Sequence, residues 1–299
     1  MKIFYGSIDS KSDISVKVYS KCMKESIIYI PASDKEKIEL FGYSKEKSIF
    51  VNNIEYHNIG LYIDTDTSKI YTNKIPDYIL KLYNIDIFKN KLNYLHNSLK
   101  LNYGLFKDEY PEQLLSVTYL SGKEKVLEIG GNIGRNSLII GSIVDNNNFV
   151  SLETHSEIYK QLTHNRNTNN MKFNIENSAL SKRKLIQKGW ETIPSDTLLD
   201  GYINVNTISF IDLKQKYNIE FDTLILDCEG AFYYILMDMP EILDNIQLII
   251  MENDYNNINH KLYIDDILKK KFYVEYSEGG GWGPCSNNFY EVWKRNKDN

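Results

Sequence analysis

Apolar positions change their period twice along the chain. Through the first seventy-odd residues they fall in short β-branched and aromatic runs, at 26–30, 48–51, 60–64 and 69–72, separated by polar breaks. Runs of that length and residue type form strands, so residues 1–75 are expected to make a small β-rich domain. From Pro76 the period lengthens. Phe88, Leu92, Leu95 and Leu99 recur at spacings of 4, 3 and 4, which is one face of a helix. They predict a helix over 84–100 within a connector spanning 76–109. Pro111 suits the first turn of a second helix, over 111–121, that carries Leu114, Leu115, Val117 and Leu120.

Beyond residue 110 strand-like and helix-like patterns alternate, the sequence form of βαβ units stacked into a parallel α/β sheet. Strands are expected at 126–129, 149–152, 172–175, 223–226 and 248–251, with helical stretches between them. Two more, at 272–276 and 289–293, follow without an intervening helix. The segment joining them holds Gly279, Gly280, Gly281 and Gly283, so this last pair should be an antiparallel hairpin.

The first strand of the α/β region runs directly into Gly130-Gly131-Asn132-Ile133-Gly134. Such a turn brings backbone close to a ligand at a helix N-terminus, or packs the helix tightly on the strand. A dinucleotide fingerprint needs glycine at its first, third and sixth places; here the third is Asn132 and the sixth Arg135, a poor fit to a pyrophosphate. Glu153 ends the second strand 23 positions after Gly130 (153 − 130), near the roughly 20 expected of a ribose-binding carboxylate. In an open parallel sheet the ligand crevice lies at the carboxyl ends of the strands, so Glu128, Glu153, Asp227, Glu229, Glu252 and Asp254 should approach one edge.

The acid two before a glycine and the second glycine four later, at Glu128, Gly130 and Gly134, resemble the first motif of S-adenosylmethionine methyltransferases, where the turn holds the methionyl end. Residues 110–299 as a whole resemble the FkbM family of methyltransferases, through Val126 to Gly134, Leu152-Glu153, Asn177-Ser178-Ala179-Leu180, Leu226 to Ala231, and Ile250-Met251-Glu252. The family's most specific element, an aspartate-x-glutamate-glycine-alanine signature after the fourth strand, reads Asp227-Cys228-Glu229-Gly230-Ala231. Members often carry a lysine two before the aspartate; this chain has Ile225 there, so no role of that lysine transfers. The resemblance implies a Rossmann-like class I methyltransferase sheet and S-adenosylmethionine as cofactor. Its binding residues would be Glu128, Gly130, Asn132, Gly134 and Glu153, with Asn177, Ser178 and Ala179 around the adenine. It also implies methylation of a small polar acceptor, a sugar hydroxyl of a glycan or nucleotide-sugar. Residues 1–75 lie outside it.

Because a sugar hydroxyl does not ionise unaided, the transfer needs a group that grips the acceptor and takes its proton. Asp227 and Glu229 are the first candidates and Glu252 the third, with helix capping or solvation as the alternative for each. The same carboxylates could hold a divalent cation, which would acidify a sugar diol. His155 and His260 are weaker candidates for the base, and Tyr233 and Tyr234 are expected to pack. Trp282, in the glycine-rich loop, offers either an aromatic platform or part of a mobile hairpin.

Composition narrows the partners. The 299 residues are 42% hydrophobic and 25% charged, which excludes disordered and collagen-like chains. With 35 Lys+Arg against 40 Asp+Glu the net charge is -5, which argues against a general nucleic-acid binder and makes an RNA methyltransferase the third reading. The second is a non-catalytic scaffold that binds a glycan or protein partner. No apolar run approaches the roughly 18 residues of a membrane span, and the N-terminus lacks the apolar core of a secretory signal. Cys22, Cys228 and Cys285 are widely spaced. A cytoplasmic enzyme is expected, and the apolar stripe on helix 84–100 would serve domain docking or a homo-oligomer seam.

Overall fold

A computed structural model describes residues 1–83, 86–189 and 191–296. Within the α/β region five parallel strands form, β1 (Val126–Ile129), β2 (Phe149–Leu152), β3 (Asn174–Glu176), β4 (Thr223–Leu226) and β5 (Leu248–Glu252). The antiparallel pair β6 (Phe272–Glu278) and β7 (Tyr290–Arg295) completes a seven-stranded sheet of order β3-β2-β1-β4-β5-β7-β6. This is a Rossmann-like α/β arrangement, with the expected antiparallel hairpin at its far edge. Six helices accompany it: α1 (Tyr110–Tyr119), α2 (Arg135–Ile143), α3 (Ser156–Thr168), α4 (Phe210–Tyr217), α5 (Phe232–Asp238) and α6 (Ile258–Leu268). The strand expected at 172–175 starts two residues later, because the Lys172 and Phe173 amides donate to Asn146 Oδ1 at 2.7 and 3.2 Å instead of joining the ladder.

Strands buried on both faces read as continuous apolar runs, and the alternation of side chains divides each run between two cores. On one face Leu127, Leu224, Leu226, Ile249 and Met251 pack with Phe210 and Leu213 of α4, Phe232 and Ile235 of α5, and Ile264 and Leu268 of α6. On the other, Val126, Ile225, Leu248 and Ile250 pack with Leu115 of α1, Leu138 and Ile140 of α2, and Leu162 of α3. The central strands β1 and β4 are therefore covered on both sides, and their carboxyl ends are the places where chain emerges from the core.

Two features fix that emergence. Gly130 leaves β1 at φ +95°, and a Cβ there would stand 1.5 Å from the Asp227 carbonyl oxygen of the neighbouring strand end. The glycine is demanded by backbone packed on backbone. Glu128, one turn of pleat earlier and only 2% exposed, takes hydrogen bonds on Oε2 from Ser137 of α2 and, at 2.5 Å, from Ser151 of β2. One carboxylate oxygen thus joins β1, β2 and α2. Burial pushes the Glu128 carboxyl up to about 7, against the lowering effect of the two serines.

Between β3 and β4 the expected helix forms only as α4, and the chain before it makes strands. Ala179–Leu180 pairs in parallel with Thr207–Ile208, and Leu185–Lys188 lies between Glu191–Pro194 and Ile203–Val205 in a three-stranded antiparallel sheet. Strands this short show too few alternations for a period to be read, and their polar residues mask what there is.

The described residues fall into two compact units, Met1–Tyr94 and Leu95–Asn299. The first contains two four-stranded antiparallel sheets, with a core that includes Ile3, Tyr5, Ile28, Ile49, Val51, Leu61 and Ile63. It also contains helices at Ser15–Lys21, Asp34–Phe41 and Asp77–Leu82, which the apolar pattern did not announce. The division falls inside helix Ile87–Ser98, not at 75 and 109. The reason is local packing: Ile75, Ile79 and Leu80 join Ile27 and Tyr62 in one cluster, while Leu99, Leu101 and Phe106 pack against the second core. The first two positions of the helix expected over 84–100 lie outside the described residues. Phe88 of its stripe is 37% exposed, whereas Leu92 and Leu95 are buried.

Gly130→Ala should cost roughly 4 kcal/mol or prevent folding, since both dihedral and clash oppose it. Gly189→Ala, at φ +59° with nothing within 4 Å of the added Cβ, should cost only about 1 kcal/mol. Urea denaturation of the two variants measures the difference. Glu128 supplies a pH test. Its carboxyl binds a proton more tightly folded than unfolded, so its contribution is fully present below about pH 4.5 and is lost as pH rises to about 7. Glu128→Gln should remove that slope and gain about 2 kcal/mol over wild type at pH 8. Equal pH dependence in the two proteins would show that Glu128 does not carry it.

Candidate active site

The carboxyl ends of β3, β2, β1 and β4, in that spatial order, open on a cavity of about 200 Å³. Gly130 and Asn132 of the glycine turn, Glu153 and Thr154 after β2, Ser178 and Ala179 after β3, and Asp227 to Glu229 after β4 all line it. The inserted sheet adds Gln187, α5 adds Ile235, and Met239 follows just beyond it. This is the topological switch point, where neighbouring β2 and β4 leave β1 on opposite sides and the connecting helices part.

Turn residues divide by task. Asn132 sits at φ 45°, its Oδ1 accepting from the Ile133 amide at 2.8 Å and its Nδ2 donating to Glu109 at 3.2 Å. The Gly130 and Gly131 amides donate to the Leu152 carbonyl at 3.1 and 2.8 Å. Gly134, at φ +95°, lies against Leu162 of α3, where an added Cβ would stand 2.4 Å from Cδ1. Of the turn positions expected to hold a ligand, Gly130 and Asn132 face the cavity. Gly134 and Glu128 do not border it; the first serves helix packing and the second the serine network beneath the turn.

Glu153 is 6% exposed and its Oε1 accepts from the His155 amide at 2.7 Å. Burial raises its proton affinity, and the amide bonds oppose the rise. Asn177 does not line the cavity. Its Nδ2 donates to the Glu153 and Thr154 carbonyls at 2.8 and 3.1 Å, which pins the chain after β2 to the chain after β3. Ser178 and Ala179 do line it, with Ser178 Oγ donating to Glu176 Oε1 at 3.0 Å.

Across the cavity, burial pushes Asp227 well above the ordinary carboxylate range, and Glu109, Asp254, Glu112 and Glu229 push in the same direction. Glu229 stands at the mouth at φ 51°, more open to solvent, and desolvation by its surroundings raises it too. Asp254 accepts from the Gly230 amide on Oδ1 at 3.0 Å and has no partner for Oδ2 among the described residues. Burial and Glu229 lift it to about 7.

Glu252 stands apart from the other two expected catalytic acids. It borders a separate void of about 20 Å³, with Glu109, Glu112 and Glu128, and Asp227 and Gly130 line both spaces. Burial and the neighbouring Glu112 carboxyl hold its carboxyl far above the usual range. Glu109 and Glu112 flank Pro111 at the opening of α1 and were not among the sequence candidates. Among the described residues no group of three or more His, Cys, Asp or Glu side chains is arranged to hold a metal ion. His155 and His260 do not line the cavity; His260 stacks flat on Tyr233, with ring centroids 3.9 Å apart. Trp282 is 45% exposed in its loop. No helix among the described residues is long and apolar enough to cross a membrane.

No protein-family model matches the chain, and no curated protein does. Solved structures similar to it include the O-methyltransferase from Bacillus cereus in complex with SAH, 13% identical over 74% of this chain and 96% of that one, with a TM-score of 0.39. The ribosomal protein L11 methylase from Lactobacillus delbrueckii subsp. bulgaricus is 10% identical over 65% of this chain and 81% of that one, with a TM-score of 0.41. An rRNA methylase from Streptococcus thermophilus is 6% identical over 63% of this chain and 95% of that one, at a TM-score of 0.39.

Proposed function

We propose that the chain is an S-adenosylmethionine-dependent methyltransferase of the FkbM kind, acting in the cytoplasm on a hydroxyl of a small polar acceptor, a sugar hydroxyl of a glycan or nucleotide-sugar. The observation that carries the reading is Glu153, a carboxylate kept buried on the wall of the cavity although its burial is costly. Two oxygens there match two ribose hydroxyls. The cavity continues past it toward Gly130 and Asn132 in one direction and Ser178 and Ala179 in the other, the course of a nucleoside with an amino-acid tail. Several buried acids with raised proton affinity suit a ligand that brings positive charge.

S-adenosylmethionine, when bound, supplies an electrophilic methyl group on its sulfonium. Asp227 takes the acceptor's hydroxyl proton on a carboxylate oxygen. A raised proton affinity makes it the stronger base once ionised, and nearby positive charge favours the ionised form. Glu229, at the mouth, orients the acceptor. Glu252, beside Glu112 in the adjoining void, acts on Asp227 and not on the acceptor. Residues 1–94 carry none of these groups and are read as a recognition or assembly module.

Glu153→Gln keeps the shape and removes the charge, and should weaken S-adenosylhomocysteine binding about tenfold to a hundredfold by calorimetry. An unchanged dissociation constant would remove the ribose assignment. Asp227→Asn should bind within a few-fold of wild type yet turn over about 100-fold more slowly. The assay is transfer of label from S-adenosylmethionine to a panel of glycans, nucleotide-sugars and RNAs. Label on RNA would replace the sugar acceptor, and binding without transfer to any of them would favour the scaffold.

A further inference from the structure

Gln187 is the buried polar side chain in the cavity that nothing above uses. It sits on Leu185–Lys188, the middle strand of the inserted sheet, and is 4% exposed. Its Nε2 donates to Thr154 Oγ1 at 3.1 Å, while its Oε1 is buried without a partner among the described residues. A half-satisfied buried amide opposes stability where a leucine would pack without penalty. Thr154 directly follows Glu153, so the hydrogen bond holds Gln187 beside the next part of whatever lies on that carboxylate. Leu180 after β3, Ile235 of α5 and Met239 just beyond it give the cavity apolar wall, and Thr192, opposite Gln187 on the next strand, also lines it.

A cavity with apolar wall from Leu180, Ile235 and Met239 and an unpaired acceptor at Gln187 fits an aromatic base that carries a hydrogen-bond donor on its edge. We propose that Gln187 is a specificity-determining residue that reads the 6-amino group of adenine, accepting on Oε1 the proton that a 6-aminopurine offers there. This rests on the cofactor reading above, and adds to it a selector supplied by the inserted sheet and not by the strand ends. Thr154 is its positioning residue, since its hydroxyl holds the amide with the acceptor facing the cavity.

The test compares S-adenosylhomocysteine with the analogue in which hydrogen replaces the 6-amino group, by calorimetry on the full-length protein. Wild type should bind the amino form about tenfold or more tightly, because the analogue leaves the buried Oε1 unpaired. Gln187→Leu should bind both within about threefold of each other, and Thr154→Val should fall between. Base preference is a ratio within one protein, so a general loosening of the fold does not produce this pattern. Wild type that binds both ligands equally, or a folded Gln187→Leu that keeps the full preference, overturns the assignment and leaves the cofactor reading standing. Wild type that binds neither ligand overturns both. If Gln187→Leu does not fold, the wild-type ratio and Thr154→Val still decide.

Discussion

The approach of Gly130 to the Asp227 carbonyl is the contact on which the rest of the site depends. Strands β1 and β4 are neighbours at the centre of the sheet, and their ends must pass each other before the chain can turn into α2 and α5. Only a residue without a Cβ lets them pass at this distance. The same contact holds Asp227 where it borders both the main cavity and the smaller void. Backbone geometry at one glycine therefore determines where the central acid stands.

Around that fixed point the molecule gathers acids that it could stabilise more cheaply elsewhere. Glu109 and Glu112 arrive from α1 and the turn before it, Glu128 from β1, Glu153 from β2, and Asp227, Glu252 and Asp254 from the ends of β4 and β5. Their partners are mostly neutral: two serines for Glu128, backbone amides for Glu153 and Asp254, and another glutamate for Glu252. Arg135 is the nearby exception, pairing with Glu109 at 2.6 Å. Neutral partners leave the proton affinities high, whereas cationic partners would lower them. Asp238, on the wall of the same cavity, shows the opposite case: its ion pair with Arg183 holds it below the usual carboxylate range.

Where a pattern repeats over many residues it was legible in the sequence. The apolar runs of β1, β2, β4 and β5 announce strands because both faces are buried, and the glycine-rich hairpin announces the antiparallel edge. Elements whose few residues are mostly polar were not legible, the inserted sheet being the clearest case. At the site, Glu153, Asp227 and Glu229 could be found from their positions after strands. Glu109, Glu112 and Gln187 could not, because they reach it from elements whose placement depends on tertiary packing. The glycine turn was legible as a motif, and of the two roles read for it the structure shows tight packing at Gly130 and Gly134, with Gly130 also on the cavity wall.

That packing changes what the motif can be taken to mean. A glycine needed so that β1 can pass β4, and another needed so that α2 can meet α3, would be kept by any chain that folds this way, whether or not it retained a reaction. The buried acids have no such structural necessity. The Glu153 carboxylate bonds to backbone after β2, outside the ladder, and Asp227 contributes its backbone, not its carboxylate, to the contact with Gly130. Burying such groups without cationic partners opposes stability, so their presence needs a reason outside the fold. The side chains that line the cavity are therefore the better guide to activity, and the glycines the better guide to architecture.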